Sequence, residues 1–303
     1  DSFTLSYTTS PGHFSDVKQY GANYRFPLYA LAGSLSFYYS KSDVDSGTIE
    51  QVFDVSGAGE FLGGSYTHTF RNRNNYRHRL SLGIDDKSFE NNIDFQGVPL
   101  GVNVRSRPLT LTYSGEWRLE RASFNFQMNY VRNLSGGGDN NSPTYAAARL
   151  GAKQTWEAFR FLSSGNISLA KGWLIKGILS GQYTNEPLIS GEQFGLGGAN
   201  SIRGFEERAV TGDRGVRFSL EAWTPPLKFN VRMFGFLDTG YTKKVNAPAG
   251  QVDNDSIASM GLGLRWHWNN KLSVNLDYGH EINSASAANA GGVKTHLSIF
   301  YRF

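Results

Sequence analysis

The stretch LTLTYSGEWRL at residues 109–119 alternates between two kinds of side chain. Apart from Gly115, the odd positions hold leucine, tyrosine and tryptophan, and the even positions hold threonine, serine, glutamate and arginine. Successive side chains of a β-strand point to opposite faces of a sheet, so this period of two predicts a strand with one apolar and one polar face. The stretch therefore predicts an all-β fold whose sheet separates two environments.

The same period extends over almost the whole chain, for example through FNFQMNY at 124–130 and MGLGLRWHW at 260–268. Short polar or glycine-containing segments interrupt it and mark the strand ends. We predict fourteen strands, at about residues 1–10, 17–27, 30–40, 49–70, 75–88, 107–119, 121–132, 156–170, 173–185, 214–224, 227–242, 256–268, 271–281 and 293–303.

Composition agrees with an all-β chain and narrows the class of protein. Of the 303 residues, 14% are aromatic, 35 are glycine and none is cysteine. The net charge of +4 is mild and the basic residues are spread along the chain, whereas nucleic-acid binding needs a dense basic face. No apolar stretch approaches the roughly 18 residues of a membrane helix. Strands that alternate can still cross a membrane as a barrel.

The links between the predicted strands distinguish a membrane barrel from a soluble sandwich. Short links alternate with long polar ones along the chain, as in an outer-membrane barrel with periplasmic turns and extracellular loops. We therefore predict a transmembrane, antiparallel, up-and-down β-barrel. The short links are 27–29, 71–74, 120, 171–172, 225–226 and 269–270, and the long ones are 11–16, 41–48, 89–106, 133–155, 186–213, 243–255 and 282–292.

The polar faces of these strands then line the lumen of the barrel. Charges of both signs on that face indicate a hydrated interior, because an unpaired charge facing lipid costs several kcal/mol. A barrel of fourteen or more strands is wide enough to leave a channel that something must fill or cross. Our candidates for lumen-facing side chains are Lys176, Gln182, Arg217, Glu221 and Arg232.

One long loop, residues 186–213, contains most of the stretch GGANSIRGFEERAVTGDRG at 197–215. Its segment IRGF, with Arg203, resembles the VRGF/Y loop signature of the superfamily that includes BamA and the two-partner secretion transporters (TpsB). In that superfamily this loop lies between the sixth- and fifth-from-last strands and folds back into the pore. The loop motif comprises Gly197, Gly198, Ile202, Gly204 and Phe205.

A second motif, FLDTG at 236–240, resembles the strand signature of the same superfamily, with Phe236, Asp238 and Gly240. The resemblance implies that its aspartate points inward to the loop arginine, and the alternation of this strand places Asp238 on the lumen face independently. A guanidinium offers a planar fork that a carboxylate accepts bidentately. We therefore expect Arg203 and Asp238 to form a loop lock inside the barrel. An exposed loop with a solvated arginine is the alternative.

Within the superfamily, the run from about residue 181 to 240 is most similar to the two-partner secretion transporters. That family has sixteen strands, preceded by two periplasmic POTRA domains and a plug helix. The fourteen strands predicted here match its last fourteen. We therefore expect residues 1–303 to be the barrel domain, with the first two strands, the POTRA domains and the plug helix absent from this chain.

The chain ends in VKTHLSIFYRF, an alternating strand that closes on an aromatic residue. This ending resembles the signal by which the bacterial assembly machinery recognises outer-membrane barrels. The residues of this signal are Leu297, Ile299, Tyr301 and Phe303.

The resemblance implies a protein of the bacterial outer membrane that exports one large unfolded exoprotein, an adhesin, a cytolysin or a contact-dependent toxin. Its other partners would be outer-membrane lipid, lipopolysaccharide and, during biogenesis, the barrel-assembly machinery, with the barrel as a monomer. No cofactor, metal, nucleic acid or catalysis is expected, since no ligand spacing or nucleophile motif occurs. The alternatives are a BamA-like factor that inserts other barrels, and a diffusion porin.

Overall fold

The computed structural model describes residues 1–9, 18–42, 47–49, 53–55, 58–90, 94–95, 98–99, 102–247, 250, 252–268, 271–284 and 291–302. The predicted loop 11–16, the predicted turn 269–270 and the C-terminal Phe303 lie outside these residues.

Fourteen long strands form one antiparallel sheet in which each strand pairs with the next along the chain. The first and last strands of this path each have one neighbour among the described residues. The strands are β1 (Ser2–Thr9), β2 (Lys18–Leu28), β3 (Gly33–Ser42), β4 (Gly59–Thr69), β5 (Tyr76–Phe89), β6 (Pro108–Arg118), β7 (Ala122–Asn133), β8 (Glu157–Ser168), β9 (Leu174–Tyr183), β10 (Arg214–Trp223), β11 (Val231–Lys243), β12 (Asn254–Trp268), β13 (Leu272–Asn283) and β14 (Val293–Tyr301).

The two faces of the sheet differ as the sequence pattern predicts. In β11, Met233, Leu237 and Tyr241 are exposed, while Phe236 and Asp238 between them are buried. Exposed leucine, isoleucine, phenylalanine and tyrosine side chains recur on the same face of the other strands. An apolar outer face with a polar inner face is the arrangement of a membrane barrel, so the predicted all-β, up-and-down architecture is confirmed.

Three predicted strands start at least three residues too early in the sequence. The strand predicted at 30–40 begins at Gly33, because Tyr29–Leu31 forms a 3-10 turn. The strand predicted at 49–70 begins at Gly59, because Gly47–Ile49 and Phe53–Val55 pair with each other instead of with the wall. The strand predicted at 227–242 begins at Val231. The preceding Lys228–Asn230 forms a 3-10 turn with Phe229 and Asn230 at positive φ, which ends the extended conformation.

The long loops carry structure that periodicity does not reveal. The loop between β7 and β8 contains helix α1 (Ser142–Ala148), whose first turn is capped by the Asn141 side chain accepting from the Thr144 amide. Asp94–Phe95 pairs with Val98–Pro99, and Val104–Ser106 extends the wall beside β5. No helix among the described residues has the length and apolar character needed to cross a membrane.

Candidate functional site

The loop between β9 and β10, residues 184–213, folds back into the barrel. Ser190–Glu192 forms a 3-10 turn, and Phe194–Leu196 pairs antiparallel with Val210–Gly212 to make a short hairpin. This hairpin supports the segment 197–209, which we call the loop tip. The loop contacts side chains from β5 to β14, so it crosses the space that the wall encloses.

The Arg203 guanidinium and the Asp238 carboxylate meet at the loop tip. Arg203 Nε donates to Asp238 Oδ2 at 2.8 Å and Nη2 donates to Oδ1 at 2.9 Å. The Arg203 backbone amide donates to the same Oδ2 at 3.2 Å. Asp238 is fully buried and Arg203 is 5% exposed. The two residues form a bidentate, desolvated ion pair, the geometry in which a guanidinium and a carboxylate interact most strongly.

Three further wall residues complete this site. Arg203 Nη1 donates to Glu221 Oε1 on β10 at 2.7 Å. The hydroxyl of Ser219, on the same strand, donates to Asp238 Oδ1 at 2.6 Å. The Phe236 ring lies 3.6 Å from the guanidinium carbon, which is a cation–π contact. Arg203 therefore contacts both of the neighbouring strands β10 and β11 and holds the loop tip against their inward faces.

These partners stabilise the positively charged form of Arg203. Burial alone would lower the pKa of the guanidinium, but the hydrogen bonds and charge of Asp238 and Glu221 outweigh it and raise the pKa. The two carboxyl groups accept further hydrogen bonds from the wall. Ser219 and Trp223, whose Nε1 donates to Glu221 Oε2 at 2.8 Å, supply the remaining donors.

The glycines of the loop motif give the tip its shape. Gly197, Gly198 and Gly204 all have φ near +100°, a region that residues with a Cβ rarely occupy. Gly204 packs on the wall at Gly279 of β13, where an added Cβ on Gly279 would lie 2.6 Å from the Gly204 nitrogen. Backbone thus lies directly on backbone at this point, and a side chain on either residue would separate loop and wall.

An apolar cluster holds the tip beside the ion pair. Ile202 and Phe205 are buried with Leu196 of the hairpin and Ile257 of β12. Gly240 of β11 makes room for them, because a Cβ there would lie 2.7 Å from a Leu196 methyl group and 2.9 Å from one of Ile202. The structure therefore brings the loop motif and the strand motif FLDTG into one site.

A second anchor, which the sequence interpretation missed, holds the stem of the loop. Glu192 is 2% exposed and accepts from Arg160 Nη2 of β8 and from the Ser106 hydroxyl, both at 2.8 Å. Lys87 Nζ of β5 lies 3.4 Å from Glu192 Oε1. Burial alone would raise the pKa of Glu192, but the charges of Lys87 and Arg160 and the hydrogen bonds outweigh it and lower the pKa. No periodic pattern marks a glutamate in a loop, so only the buried position identifies it.

The candidate lumen residues occupy different levels of the inner face. Gln182 is buried and donates to the Glu192 and Asp213 carbonyls at 3.1 and 3.0 Å. Arg217 donates to the Ser180 hydroxyl at 2.8 Å and to the Asn200 carbonyl of the tip. Lys176 lies 3.8 Å above the Trp223 ring. Arg232 binds the Thr224 carbonyl at the short-turn end and does not touch the loop lock.

The C-terminal strand presents Leu297, Ile299 and Tyr301 on an exposed apolar face, and Phe303 lies outside the described residues. On its other face Lys294 donates to Glu206 of the loop tip. Among the described residues, no group of three or more histidine, aspartate or glutamate side chains is arranged to hold a metal ion.

The fold and the loop inside it are those of a β-barrel protein of the bacterial outer membrane. Residues 1–266 match the model of the family described as Haemolysin secretion/activation protein ShlB/FhaC/HecB, which is most of the chain. The chain belongs to this family. This finding confirms the resemblance to two-partner secretion transporters and the predicted outer-membrane location.

Individual relatives agree with this assignment. A 69-residue segment, 22% of this chain, is 38% identical to the outer membrane transporter CdiB of Dickeya dadantii (strain 3937), of which it covers 12%. The structure of CdiB from Acinetobacter baumannii superposes with a TM-score of 0.71 at 17% identity, over 98% of this chain and 52% of that one. CdiB from Escherichia coli gives 0.71 at 13% identity, over 96% and 55%.

BamA from Haemophilus ducreyi lacking POTRA domains 1–3 superposes with a TM-score of 0.62 at 18% identity, over 94% of this chain and 63% of that one. At these identities the three solved structures establish the fold alone. The chain spans about half the length of the solved CdiB chains.

Proposed function

We propose that the protein is the outer-membrane translocator of a two-partner secretion system and exports one large, unfolded exoprotein through its lumen. The observation that carries this proposal is the loop at 184–213, which crosses the interior and is held there by ion pairs to the walls. A barrel that must stay closed to small molecules and still pass a polypeptide needs a closure of this kind. Family membership supports the same function.

The chemistry of the inner face suits a polypeptide in transit. Arginine, lysine, glutamine, serine and glutamate side chains line much of it, so a passing chain finds hydrogen-bond partners there. We propose an adhesin, a cytolysin or a contact-dependent toxin as the exoprotein. Folding outside the cell would supply the direction of transport, and no catalytic step is required of the barrel.

The remaining proposed partners follow from the outer surface. The exposed apolar face contacts outer-membrane lipid and lipopolysaccharide, and we propose that one copy of the barrel suffices. The assembly machinery would recognise the C-terminal signal during biogenesis, through Leu297, Ile299, Tyr301 and Phe303. The loop lock of Arg203 and Asp238 would hold the tip until cargo arrives.

Secretion of a defined exoprotein tests the proposal. The whole protein is co-expressed with a candidate exoprotein encoded beside it, and that exoprotein is quantified in medium and periplasm. We expect it in the medium only when the barrel is present. Exoprotein that reaches the medium equally well without the barrel would show that the proposed function is wrong.

A further inference from the structure

Asp213, the last residue of the lumen loop, is the meeting point of three long loops. It is fully buried and accepts Arg149 Nη1 at 2.5 Å and Nη2 at 2.7 Å, and Arg149 belongs to the loop between β7 and β8. The Leu188 amide of the lumen loop donates to it at 2.9 Å, and the Val245 amide, just after β11, donates at 2.6 Å. We call Asp213, Arg149, Leu188 and Val245 the Asp213 clasp.

Arg149 also binds the backbone of two of these loops. Its Nη1 also donates to the Leu188 carbonyl at 2.6 Å, and Nη2 donates to the Val245 carbonyl at 3.4 Å. The guanidinium therefore binds a carboxylate and two backbone carbonyls that belong to different loops. A planar fork with five donors can make these four hydrogen bonds at once, whereas the three donors of a lysine cannot.

An apolar seal lies next to the clasp, at the long-loop end of the barrel. Tyr145 of α1, Trp156, Leu188 and Ile189 are at most 1% exposed and pack together with Phe89. The Tyr145 hydroxyl donates to the Arg105 carbonyl at 3.1 Å, which ties α1 to the wall extension at Val104–Ser106. The loop between β7 and β8 thus covers the lumen loop from above instead of projecting into solvent.

From this geometry we propose that the Asp213 clasp is the gate of the outer mouth, separate from the loop lock at Arg203. It joins three loops into one closure, and a polypeptide leaving the lumen at this end must part them. Loss of either Arg149 or Asp213 leaves the other charge without its partner, and the Leu188 and Val245 contacts depend on the same two side chains. The inference rests on the proposed function for its role in export, but the closure itself is independent of cargo.

Single-channel conductance without cargo tests the closure directly. We expect Asp213→Asn and Arg149→Gln each to increase the open time by about tenfold or more, because each strands one member of a buried pair. The double variant Arg149→Gln/Asp213→Asn is expected to add little to either single change. Lys153→Gln is the matched control. Lys153 pairs with Glu186 between the same two loops, but its side chain is 67% exposed and the contact is 3.9 Å long.

Open times of both clasp variants equal to those of wild type would overturn the proposal. If a clasp variant fails to assemble, the closure is tested by cross-linking in a protein that keeps Asp213 and Arg149. This chain contains no cysteine, so a cysteine pair can be placed at chosen positions. Lys153→Cys/Glu186→Cys, joined by a reducible bifunctional maleimide, holds the two loops together. We expect cross-linking to abolish secretion and reduction to restore it.

Normal secretion by the cross-linked protein would show that the loops need not part, and the gate would be refuted. Failure of the proposed function gives a different pattern. Wild type would then secrete nothing, while Asp213→Asn would still lengthen the open time. The two conclusions are therefore distinguishable in the same set of preparations.

Discussion

The Arg203 guanidinium has two carboxylates, a hydroxyl and an aromatic ring around it. The sequence pointed to its partner, because the resemblance to the family's strand signature implies the pair and the alternation of β11 places Asp238 on the inner face. It did not point to Glu221 as a second acceptor. That contact depends on how far the loop tip reaches across the sheet, which alternation does not specify.

Substitution of Arg203 should release the tip while leaving the wall assembled. Arg203→Ala strands a buried Asp238, a change that typically costs about 3–5 kcal/mol. Arg203→Lys keeps the charge but loses the fork, so its effect should be smaller. Amide hydrogen exchange over residues 199–207 measures tip opening directly, and we expect faster exchange in the order Ala, Lys, wild type.

Asp277→Asn is the matched control for this experiment. Asp277 accepts bidentately from Arg265 at 2.6 and 2.8 Å, but the pair joins β12 to β13 and includes no loop residue. We expect unchanged exchange at the tip in this variant. Equal exchange in Arg203→Ala and wild type would mean that the ion pair does not hold the loop.

The Phe236 ring should contribute less than the ion pair to holding the loop tip on the wall. Phe236→Leu keeps an apolar side chain and removes the cation–π contact, which is worth roughly 0.5–2 kcal/mol. We expect a modest rise in tip exchange, below that of Arg203→Ala. A rise as large as that of Arg203→Ala would indicate that packing, and not the ion pair, dominates the site.

The loop tip and strand β13 meet backbone to backbone at Gly204 and Gly279. Gly279→Ala places a Cβ 2.6 Å from the Gly204 nitrogen and 2.9 Å from the Arg203 carbonyl carbon. Because both groups are backbone, the tip must move away from the wall. We expect higher single-channel conductance and faster proteolysis of the loop, with normal outer-membrane assembly.

Gly235→Ala on β11 is the control, since a Cβ there meets its nearest neighbour at 3.9 Å. It should behave as wild type in both measurements. Wild-type conductance in Gly279→Ala as well would argue that the tip does not need this close approach to close the channel.

The strands were predictable from sequence because each has one lipid-facing and one lumen-facing side, and such a strand must alternate. The ends of the strands were harder to predict. Phe229 and Asn230 adopt positive φ without being glycine, so no residue type marks the start of β11. The stem anchor Glu192 and the Asp213 clasp could not be predicted. Their partners, such as Arg149 and Arg160, lie in other loops and strands, and loop side chains follow no period.

Across the whole barrel, Glu192 connects the lumen loop to the wall at β5 and β8, opposite the tip contacts on β10 to β14. The loop is therefore fixed at both ends of its path through the interior. Its stem is held by the Glu192 carboxylate, and protonation of this group would remove its attraction to Lys87 and Arg160.

The direction of the pH effect follows from the lowered pKa of Glu192. A carboxyl whose pKa is lower in the folded protein than in the unfolded chain stabilises the fold fully above the unfolded value of about 4.3. That contribution is lost as the pH falls through the lower, folded value. We expect the thermal midpoint of wild type in detergent to drop below about pH 4.3.

Glu192→Gln should lower this midpoint at pH 7, because Lys87 and Arg160 lose their common carboxylate, and should weaken its dependence on acid pH. The control is Glu157→Gln, which removes an exposed partner of Arg132 at 3.5 Å. Exposed pairs of this kind contribute little to stability, so its acid profile should follow that of wild type. Parallel acid profiles for wild type and Glu192→Gln would show that another group controls the acid release of the stem.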